Sequence, residues 1–464
     1  MKQLVDGFHV EDRRNSKQVL DNVHGNIYLE PLMLEFVDTE QFQRLRDIKQ
    51  LGLTNLIYPG AVHSRFEHSL GVHWLAGEAI RKIIALQGSE FDIDAIDVNA
   101  VKLAGLLHDV GHGPFSHMFE TLFVPKAASG TKWTHEEMAV KMIDYIVDEH
   151  HIDIDSDCLK KTKDLITASA DRPCGTTVCD KRFLYDIVAN GRNGVDVDKF
   201  DYLARDSLAC GLSCGFQHQR LMDTMRVMGD EICYRAKDYL TVHKLFATRA
   251  DMHRTVYMHA KGKAIDHMVT DALTAANEYY QITSALEDPA RFWKLDDSIL
   301  KAIEISDAPE LKEARDLIRR IRTRDLYQFC NEFSVPKEAL EHFKPTTAQD
   351  IVCSQTSGGI TLKEDDIVVS NIKIDLTRGR DNPLGSVNFF TDWDSNEKFK
   401  IPDDRVSHLL PSFCQDKIVR VYSKNPNLTE AVSEAFENFQ LKTYNLKAQV
   451  YDTTRKRRYR RPVS

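Results

Sequence analysis

Residues 108–117 read His-Asp-Val-Gly-His-Gly-Pro-Phe-Ser-His, which places three histidines and one carboxylate within ten residues. Imidazole nitrogen and carboxylate oxygen are ligands that suit zinc, iron, manganese and nickel. The same histidines could position a phosphate or move a proton near neutral pH. Polar groups at the end of an apolar helix are costly to bury unless a partner satisfies them. The segment therefore predicts a metal centre with acid–base groups beside it.

Further ligands must come from elsewhere in the chain. Adjacent residues on a helix diverge by about 100°, so His108 and Asp109 cannot enclose an ion alone. Residues 65–69 offer a histidine beside an arginine, and residues 193–202 offer several carboxylates with a lysine and a tyrosine. One histidine and one carboxylate from these segments would complete a mixed nitrogen and oxygen set. A single histidine or aspartate there is more often structural, so the metal interpretation depends on the block 108–117.

Other motifs are weak or absent. Residues 134–137 read Thr-His-Glu-Glu, but position 139 is alanine, so the H-E-x-x-H zinc motif is missing and His135 is equally well structural or catalytic. The sequence contains no G-x-x-x-x-G-K-[ST] phosphate loop and no G-x-G-x-x-G fingerprint. Cys210 and Cys214 have no matching pair, which argues against a zinc knuckle.

Helical periodicity dominates the chain from about residue 17 to residue 330. Apolar residues at three-residue intervals from Val98 to Leu107 predict one buried helix face, with Asp97 expected to cap its start. Glycine and proline then stop regular structure inside the histidine block. Further helices are predicted at 196–206, 241–281 and 310–330.

The character of the sequence changes after about residue 335, where proline, serine, threonine and glycine indicate a connection. Alternating apolar residues predict strands, and a last periodic segment predicts a helix. The strands are expected at 366–376, 385–391 and 416–423, and the helix at 428–441. We therefore expect a mainly α protein, with a helical core at 17–335 and a smaller α+β lobe at 336–451. Residues 1–16 are expected to form a flexible tail and residues 452–464 a basic tail.

The composition limits the class of protein. At 464 residues, with 42% hydrophobic and 28% charged residues, it is ordinary for a globular domain. No apolar run approaches the roughly 20 residues of a bilayer span, and no signal peptide is recognisable. Nine scattered cysteines favour reduced thiols. The net charge of −9 argues against a surface that binds nucleic acid over most of its area. We expect a soluble protein of the nucleus, the cytoplasm or both, without a membrane partner.

Several of these segments together resemble one known family. The pattern His68, His108-Asp109 and Asp198 is similar to that of the HD-domain metal phosphohydrolases. The surrounding sequence resembles more specifically the sterile-alpha-motif-and-HD-domain family of deoxynucleoside triphosphate (dNTP) triphosphohydrolases, without the sterile-alpha-motif module. The matching segments are residues 38–52, 59–61, 65–72, 108–117, 132–136 and 193–199. The similarity extends over roughly residues 17–450 and implies that the helical core is an HD domain.

The resemblance implies a reaction and the residues that perform it. The reaction is hydrolysis of a dNTP to a deoxynucleoside and inorganic triphosphate, in the control of dNTP pools and in antiviral restriction. Iron, manganese or zinc is implied as the bound metal, with magnesium bridging the nucleotide phosphates. The implied metal ligands are His68, His108, Asp109 and Asp198. The implied catalytic residues are His112, His117, His135 and Glu120, the last of which stands where the family has an aspartate. One histidine would protonate the departing 5′-oxygen.

The resemblance also implies a substrate site. The implied contacts are Gln50, Leu51, Arg65, Lys199, Tyr202, Asp206, Arg249, Tyr257 and His259. The three cations among them would follow the triphosphate, which needs charge compensation in a dry pocket. Gln50 and Asp206 would contact the sugar 3′-hydroxyl, and the two tyrosines would leave no room for a ribose 2′-hydroxyl. Met258 stands where the family has a glutamine near the base.

The family is activated by nucleotides that bind between subunits and assemble a tetramer. The first activator site is implied by Lys17, Asp38, Gln43, Arg46 and Arg324, and its match predicts GTP as activator. The second site is implied by Arg220, Arg235, Lys237 and His259. Six residues depart from the family there, namely Leu20, Thr241, Thr255, Ala260, Gln328 and Asp392. The loss of several cations predicts weaker or altered nucleotide-driven assembly of the homo-oligomer, which is expected to be a dimer or a tetramer. The oligomer would then either form before nucleotide binds or be activated by GTP alone.

Two alternatives stay open. One is an HD-domain nucleotidase or phosphodiesterase with another product, although a monophosphate would not need three cations. The other is a non-catalytic HD protein that binds nucleic acid through the Arg/Lys run at 455–461, where clustered cations attract phosphate backbones. The presence of every expected ligand and catalytic histidine favours the enzyme.

Overall fold

The computed structural model describes residues 16–168, 181–356, 360–377, 379, 381–401 and 413–446. Within these ranges the chain is mostly helical, with three small sheets. Apart from Ser16, the tails expected at 1–16 and 452–464 lie outside the described residues, and so does the basic run 455–461. No helix of the described ranges is both long enough and apolar enough to cross a membrane.

A two-stranded antiparallel hairpin begins the described chain, where the periodicity predicted helical structure. Its strands are β1 (Lys17–Asp21) and β2 (Gly25–Leu29), and Lys17 pairs with Leu29. Ile27 and Leu29 are buried, whereas most of β1 is exposed. Strands of five residues with one exposed partner are too short for the period-two alternation to be recognised in the sequence.

Helices form the core of the first half of the chain. They are α1 (Pro31–Val37), α2 (Glu40–Gln43), α3 (Arg65–Phe91), α4 (Ala95–Leu107), α5 (Val124–Ala127), α6 (His135–His150), α7 (Ser156–Ile166), α8 (Val197–Ala209) and α9 (His218–Thr224). Helix α3 packs against α4 and α8, and α4 also packs against α7. The predicted inner face of α4 is confirmed, because Val101, Ala104 and Leu107 have no exposed surface. The helix predicted at 196–206 is confirmed as α8.

The start of α4 differs from the expectation. Asp94 is the N-cap residue, since its side chain accepts from the amide of Asp97 at 2.8 Å, and the Asp97 side chain accepts from the amide of Asp94 at 3.2 Å. Asp97 instead lies in the first turn of α4 and is buried, and its carboxylate forms ion pairs with Lys161 at 2.5 Å and Lys181 at 2.6 Å. The prediction that Asp97 caps α4 was wrong because both carboxylates of a reciprocal capping box fit the same sequence pattern.

The second half of the core contains two strands and five helices in the described ranges. These are β3 (Arg226–Met228), β4 (Glu231–Arg235), α10 (Tyr239–Met252), α11 (Ala260–Tyr280), α12 (Pro289–Phe292), α13 (Ile299–Ile305) and α14 (Lys312–Arg322). The helix predicted at 241–281 is interrupted by a π-helical turn at His253–Tyr257. The helix predicted at 310–330 was too long, because the chain leaves helical geometry at Arg324, where φ is +63°.

A second hydrophobic core defines the C-terminal lobe. Its elements are β5 (Gln328–Ser334), α15 (Ala348–Val352), β6 (Ile367–Asp375), β8 (Gln415–Ser423) and α16 (Thr429–Tyr444), whereas the intervening β7 (Phe389–Phe390) lies outside this core. Strand β8 lies between β5 and β6 and is antiparallel to both, while β7 joins β3 and β4 in a separate sheet. Strand β5 therefore belongs to the lobe although it precedes residue 336. The predicted strands at 366–376 and 416–423 and the final helix are confirmed, but within 385–391 only Phe389–Phe390 form a strand.

Short 3-10 turns connect these elements. They are Arg44–Asp47, Gly52–Leu56, Arg182–Asp186, Ala236–Asp238, Thr283–Ala285, Pro309–Leu311, Lys337–Ala339, Glu364–Asp366, Pro383–Ser386 and Pro426–Leu428. A further π-helical turn at Phe119–Phe123 precedes α5.

Replacing Asp94 by alanine tests the corrected cap. Loss of an N-cap side chain leaves the first amides of α4 unsatisfied, so the free energy of unfolding should fall by about 1 kcal/mol. Urea unfolding followed by circular dichroism measures the change. Asp153→Ala, at another exposed aspartate, is the control and should change it little. An unchanged stability in Asp94→Ala would show that the cap contributes nothing.

Candidate metal centre and active site

Four side chains from three helical segments meet beside the first turn of α3. His68 lies in that turn, Asp198 lies in the first turn of α8, and the His108-Asp109 pair follows the end of α4. The Nε2 atoms of His68 and His108 are 3.3 Å apart. Oδ1 of Asp198 is 3.2 Å from Nε2 of His68 and 3.7 Å from Nε2 of His108. Oδ2 of Asp109 is 3.4 Å from Nε2 of His68. The structure therefore brings together all four ligands that the resemblance implied.

Both histidines present Nε2 to this point because their Nδ1 atoms are engaged elsewhere. Nδ1 of His108 donates to the carbonyl oxygen of Gly105 at 2.9 Å, and Nδ1 of His68 donates to Oδ2 of Asp201 at 2.7 Å. A carbonyl or an ionised carboxylate can only accept, so the proton lies on Nδ1 in each ring. Metal-ligating histidines are usually oriented by such a bond from their other nitrogen.

Buried negative charge makes this cluster attractive to a cation. Burial raises the pKa of the Asp109 carboxyl, but Arg65 and the neighbouring histidines hold it well below its usual range. Burial lowers the pKa of His68, but hydrogen bonds to Asp198 and Asp201 outweigh burial and raise it to about 10. A proton on His68 is one way to balance these carboxylates, and a divalent ion is the other. Two imidazole nitrogens with two carboxylates suit iron, manganese or zinc.

A second group of histidines adjoins the cluster through Asp109, whose Oδ1 lies 3.2 Å from Nε2 of His112. The rings of His112 and His135 stack with 3.9 Å between their centroids, and His117 meets them edge-on at 5.0 and 5.5 Å. Nδ1 of His135 forms a 2.7 Å hydrogen bond with Oε2 of Glu120. The four residues implied as catalytic therefore lie together, directly beside the candidate metal ligands.

Close backbone packing holds this second group in place. Gly111 lies against the first turn of α6, and a Cβ at this position would be 2.1 Å from the carbonyl oxygen of His135. Phe115 and Ser116 then adopt φ values of +61° and +59°, which are costly for residues other than glycine. The hydroxyl of Ser116 accepts from Nε of Arg65 at 2.8 Å. The turn between α4 and the π-helical segment is therefore determined by its contacts.

The three rings differ in charge. Burial lowers the pKa of His135, but the hydrogen bond to Glu120 and nearby acidic groups reverse this, so the pKa is raised. Neighbouring protein atoms remove water from around His117, and this desolvation, followed by the charges of Arg65 and His135, lowers its pKa, although the residue as a whole is exposed. Burial and the same two cations lower the pKa of His112. The group therefore contains one ring whose pKa is raised beside two whose pKa values are lowered, which is the asymmetry that acid–base catalysis uses.

A pocket of about 490 Å³ opens beside both groups. Four of the predicted residues line it, namely His108, His135, Asp198 and Lys199. The sequence did not indicate most of the remaining wall, which consists of Thr134, Glu136, Glu137, Ile166, Thr167, Ala168, Val188, Ala189, Asn190, Gly191 and Asp196. Residues 188–191 lie in a loop without periodicity or a motif, so only the tertiary structure reveals them.

The three cations implied for the triphosphate each have a protein partner. Arg65 is buried and forms an ion pair with Asp109, so it supports the candidate metal ligands directly. Nζ of Lys199 lies 2.8 Å from the carboxylate of Asp196 at the pocket wall. Nη1 of Arg249 donates to the carbonyl oxygen of a residue in β6 at 2.9 Å. Only Lys199 among the three lines the pocket in the described part of the chain.

The residues implied for sugar recognition form a buried chain. Oδ1 of Asp206 is 2.7 Å from Nε2 of His63, and its Oδ2 accepts from the hydroxyl of Tyr257 at 2.7 Å. The backbone amide of Gln50 donates to the backbone carbonyl oxygen of His63 at 3.0 Å. Tyr202 is half-buried on α8, one turn before Asp206. His63 was missed because an isolated histidine carries no motif and its partner lies 143 residues away.

The residues implied for the first activator site lie at the surface. Nε of Arg46 donates to Oε1 of Gln43 at 2.7 Å, and Arg324 donates to the carbonyl oxygen of Leu56 at 2.7 Å. Lys17 and Asp38 are exposed. Each of these side chains is therefore accessible to a ligand or another subunit.

The residues implied for the second activator site differ in how far the chain itself engages them. Arg220 forms an ion pair with the buried carboxylate of Asp238. Nε of Arg235 is buried and lacks a hydrogen-bond partner among the described residues. Lys237 is exposed, and His259 precedes the first residue of α11. One of the four remaining groups is thus already paired within the chain.

Comparison with known proteins agrees with this geometry. The HD domain model matches residues 65–206, and the HD associated region model matches residues 216–354. The chain is 41% identical over 435 residues to the deoxynucleoside triphosphate triphosphohydrolase SAMHD1 homolog of Dictyostelium discoideum, covering 94% of this chain and 82% of that protein. It is 36% identical over 451 residues to the deoxynucleoside triphosphate triphosphohydrolase SAMHD1 of Homo sapiens, covering 88% and 70%.

Fold and site together define an HD-domain hydrolase with a candidate divalent-metal centre. The expected fold class, a mainly α chain with a smaller C-terminal α+β lobe, is confirmed. The similarity extends over most of the chain and most of each relative. The chain belongs to the SAMHD1 family of deoxynucleoside triphosphate triphosphohydrolases.

Replacing Gly111 by alanine tests whether close packing positions His135. The added Cβ would meet backbone atoms of α6, so overpacking should lower the free energy of unfolding by about 1–3 kcal/mol. A displacement of about 1 Å at His135 should reduce kcat about 100-fold. Gly385→Ala is the matched control, because nothing lies within 4 Å of its added Cβ. Turnover and stability like those of the wild type in Gly111→Ala would contradict this role of the turn.

Proposed function

We propose that the chain hydrolyses dNTPs to deoxynucleosides and inorganic triphosphate, with a divalent metal held by His68, His108, Asp109 and Asp198. The main support is the convergence of two Nε2 atoms and two carboxylates beside a histidine group and a pocket. The names of the relatives supply the choice of substrate. Iron, manganese or zinc suits these ligands, with magnesium on the nucleotide phosphates.

The chain's own residues would share the work around the α-phosphate. A metal ion bound at the four ligands would lower the pKa of a water molecule and polarise the phosphoryl oxygens. Arg65 orients Asp109 through their buried ion pair, and Lys199 offers positive charge to the triphosphate at the pocket wall. Water attacks the α-phosphorus, the bond from phosphorus to the 5′-oxygen breaks, and the histidine group supplies a proton to that oxygen. The proton comes from the His135–Glu120 pair, where the pKa is raised.

Sugar recognition would use the buried chain around Asp206. A carboxylate oxygen that already accepts from Tyr257 has further lone pairs for the sugar 3′-hydroxyl. Gln50 is a second candidate, because its buried Oε1 has no hydrogen-bond partner among the described residues. Tyr202 and Tyr257 would fill the space that a ribose 2′-hydroxyl needs. The base contacts would differ from those of relatives that carry a glutamine in place of Met258.

Identification of the phosphate product tests the reaction. We expect purified protein, incubated with each dNTP, GTP and Mn²⁺, to release deoxynucleoside and inorganic triphosphate, which ³¹P NMR distinguishes from other phosphates. His108→Ala should abolish the reaction, whereas His342→Ala, at an exposed histidine far from the site, should leave it unchanged. Release of orthophosphate or of a nucleoside monophosphate would instead favour the nucleotidase or phosphodiesterase alternative.

Replacing Glu120 by glutamine tests the origin of the proton. The carboxylate raises the pKa of His135, so removing it should lower that pKa and make the ring lose its proton at lower pH. A hydrogen bond to a charged group contributes about 1.5–3 kcal/mol, which corresponds to about one to two pH units. The alkaline limb of the kcat/KM profile should therefore move to lower pH by about that amount. The control is Glu149→Gln, at the exposed end of α6, the helix that begins with His135. An alkaline limb that does not move in Glu120→Gln would exclude His135 as the acid.

We also propose that GTP activates the enzyme through Lys17, Asp38, Gln43, Arg46 and Arg324, and that the second activator site is weakened. The substitutions of cations at the second site support this, as does the ion pair that engages Arg220 with Asp238. Fewer free cations around stacked triphosphates provide fewer charge-assisted contacts, each contributing about 1.5–3 kcal/mol.

Analytical ultracentrifugation and activity measurements with GTP alone, and then with added dNTP, test this weakened second site. With GTP as the only activator, we expect the same oligomer and nearly the same activity as after activating dNTP is added. In the measurement with GTP alone, the substrate dNTP is kept below the concentration that saturates an activator site. Assembly and activity that depend fully on both nucleotides would contradict the proposal. Arg46→Ala should lose the response to GTP, whereas Arg319→Ala, on α14, should keep it.

A further inference from the structure

The turn of the β1–β2 hairpin reaches the candidate metal centre through a buried carboxylate that the proposed reaction does not use. Asp201 lies on α8, one turn after Asp198, and has no exposed surface. Its Oδ2 accepts from Nδ1 of His68 at 2.7 Å and from Nε of Arg205 at 2.9 Å. Its Oδ1 accepts from Nη2 of Arg205 at 2.9 Å and from Nε2 of His24 at 2.6 Å. The roughly four lone-pair sites of this carboxylate are therefore all occupied.

The hairpin turn also holds Arg205. Nη1 of Arg205 donates to Oδ2 of Asp21 at 2.9 Å and to Oδ1 of Asn22 at 3.2 Å. Oδ1 of Asp21 accepts from the amides of Val23 and His24 at 2.9 and 2.8 Å, which fixes this carboxylate on the turn. Arg205 is 1% exposed and Asp21 is 8% exposed. Residues 21–24 thus contact Asp201 directly through His24 and indirectly through Arg205.

The backbone of α3 at Gly71 lies so close to Asp201 and Arg205 that no side chain would fit there. A Cβ at Gly71 would lie 1.9 Å from Oδ1 of Asp201 and 2.6 Å from Nη2 of Arg205. Gly71 is one turn after His68, so the space that it leaves lets Asp201 reach the ring of His68. Buried ion pairs seldom stabilise a fold more than apolar packing of the same volume would. Stability alone therefore does not account for charged groups at this position.

Orientation of the ring is what these groups provide. With both oxygens of Asp201 held from two sides, the carboxylate cannot rotate, and its bond to Nδ1 sets the tautomer and plane of His68. The Nε2 atom is then directed at Asp109 and Asp198 before any ion arrives. Partners of this kind typically change metal affinity 10- to 100-fold when they are removed.

We propose that Asp21 and His24 of the hairpin turn, acting with Arg205 through Asp201, are positioning residues of the metal centre. The proposal rests on the role of His68 as a metal ligand, given under the proposed function. It makes the hairpin, which contributes no ligand of its own, a structural part of the metal site. Loss of either contact from the turn would free one side of Asp201 and let the ring of His68 turn away.

Metal binding, measured without turnover, tests this proposal. The EPR signal of free Mn²⁺ gives the dissociation constant for the full chain and its variants, and the absorption spectrum of bound Co²⁺ reports the ligand geometry. We expect Asp21→Asn and His24→Gln, which keep size and polarity, to weaken Mn²⁺ binding about 10- to 100-fold and to change the Co²⁺ spectrum. Arg205→Lys should retain more affinity than Arg205→Gln, although less than the wild type, because an ammonium keeps the positive charge but cannot reproduce the two parallel bonds to Asp201.

Matched controls separate positioning from general damage. Asn26→Ala changes an exposed residue of the same hairpin, and Glu149→Gln removes an exposed carboxylate elsewhere, so both should bind Mn²⁺ like the wild type. Circular dichroism at the assay temperature verifies that each variant is folded, and if one of the two turn variants unfolds, the other decides. Wild-type affinity together with an unchanged Co²⁺ spectrum in a folded turn variant would overturn the proposal. A wild type that binds Mn²⁺ but releases no triphosphate would contradict the proposed reaction instead.

Discussion

The imidazole of His68 is contacted by three carboxylates in a part of the protein that solvent hardly reaches. Asp109 and Asp198 lie 3.4 and 3.2 Å from its Nε2, and Asp201 lies 2.7 Å from its Nδ1. Carboxylates this close repel one another strongly unless positive charge lies among them. Arg65 pairs with Asp109 and Arg205 with Asp201, so the two fully buried carboxylates each have a cation supplied by the helices that pack around the ring, whereas Asp198 is partly exposed. The packing of α3 against α4 and α8 is what brings these charges within a few ångströms.

The centre divides its tasks between two groups of histidines that share Asp109. On one side, Nδ1 bonds to a carboxylate or a carbonyl oxygen leave Nε2 for a metal ion. On the other side, the hydrogen bond to Glu120 raises the pKa of His135, whereas burial, Arg65 and His135 lower the pKa values of the other two rings. Because a proton donor and a metal ligand need opposite protonation states, the partner of each ring matters more than the presence of a histidine. In the proposed reaction, the same residue type therefore serves two functions within one small volume.

Several helices could be predicted because their periodicity is a local property of the sequence. The inner face of α4 follows directly from the spacing of apolar residues, helix α8 from the spacing of its polar residues, and the strands β6 and β8 from alternation. The β1–β2 hairpin and β5 were missed, since a short strand is stabilised by its partner rather than by its own pattern. The cap of α4 was misassigned because Asp94 and Asp97 each satisfy the other. The break at Arg324 depends on a single positive φ value that no residue type there signals.

The sequence by itself predicted which residues would carry the chemistry. It did so through the local spacing of the block from His108 to His117, and through the family resemblance for His68 and Asp198. It also implied the family and the class of reaction. Only the tertiary structure decided which partner each of these side chains has. Arg65 is paired with Asp109 rather than free in the pocket, and His68 is oriented by Asp201 from 133 residues away. Protonation, orientation and metal affinity depend on such long-range contacts, which spacing along the chain does not encode.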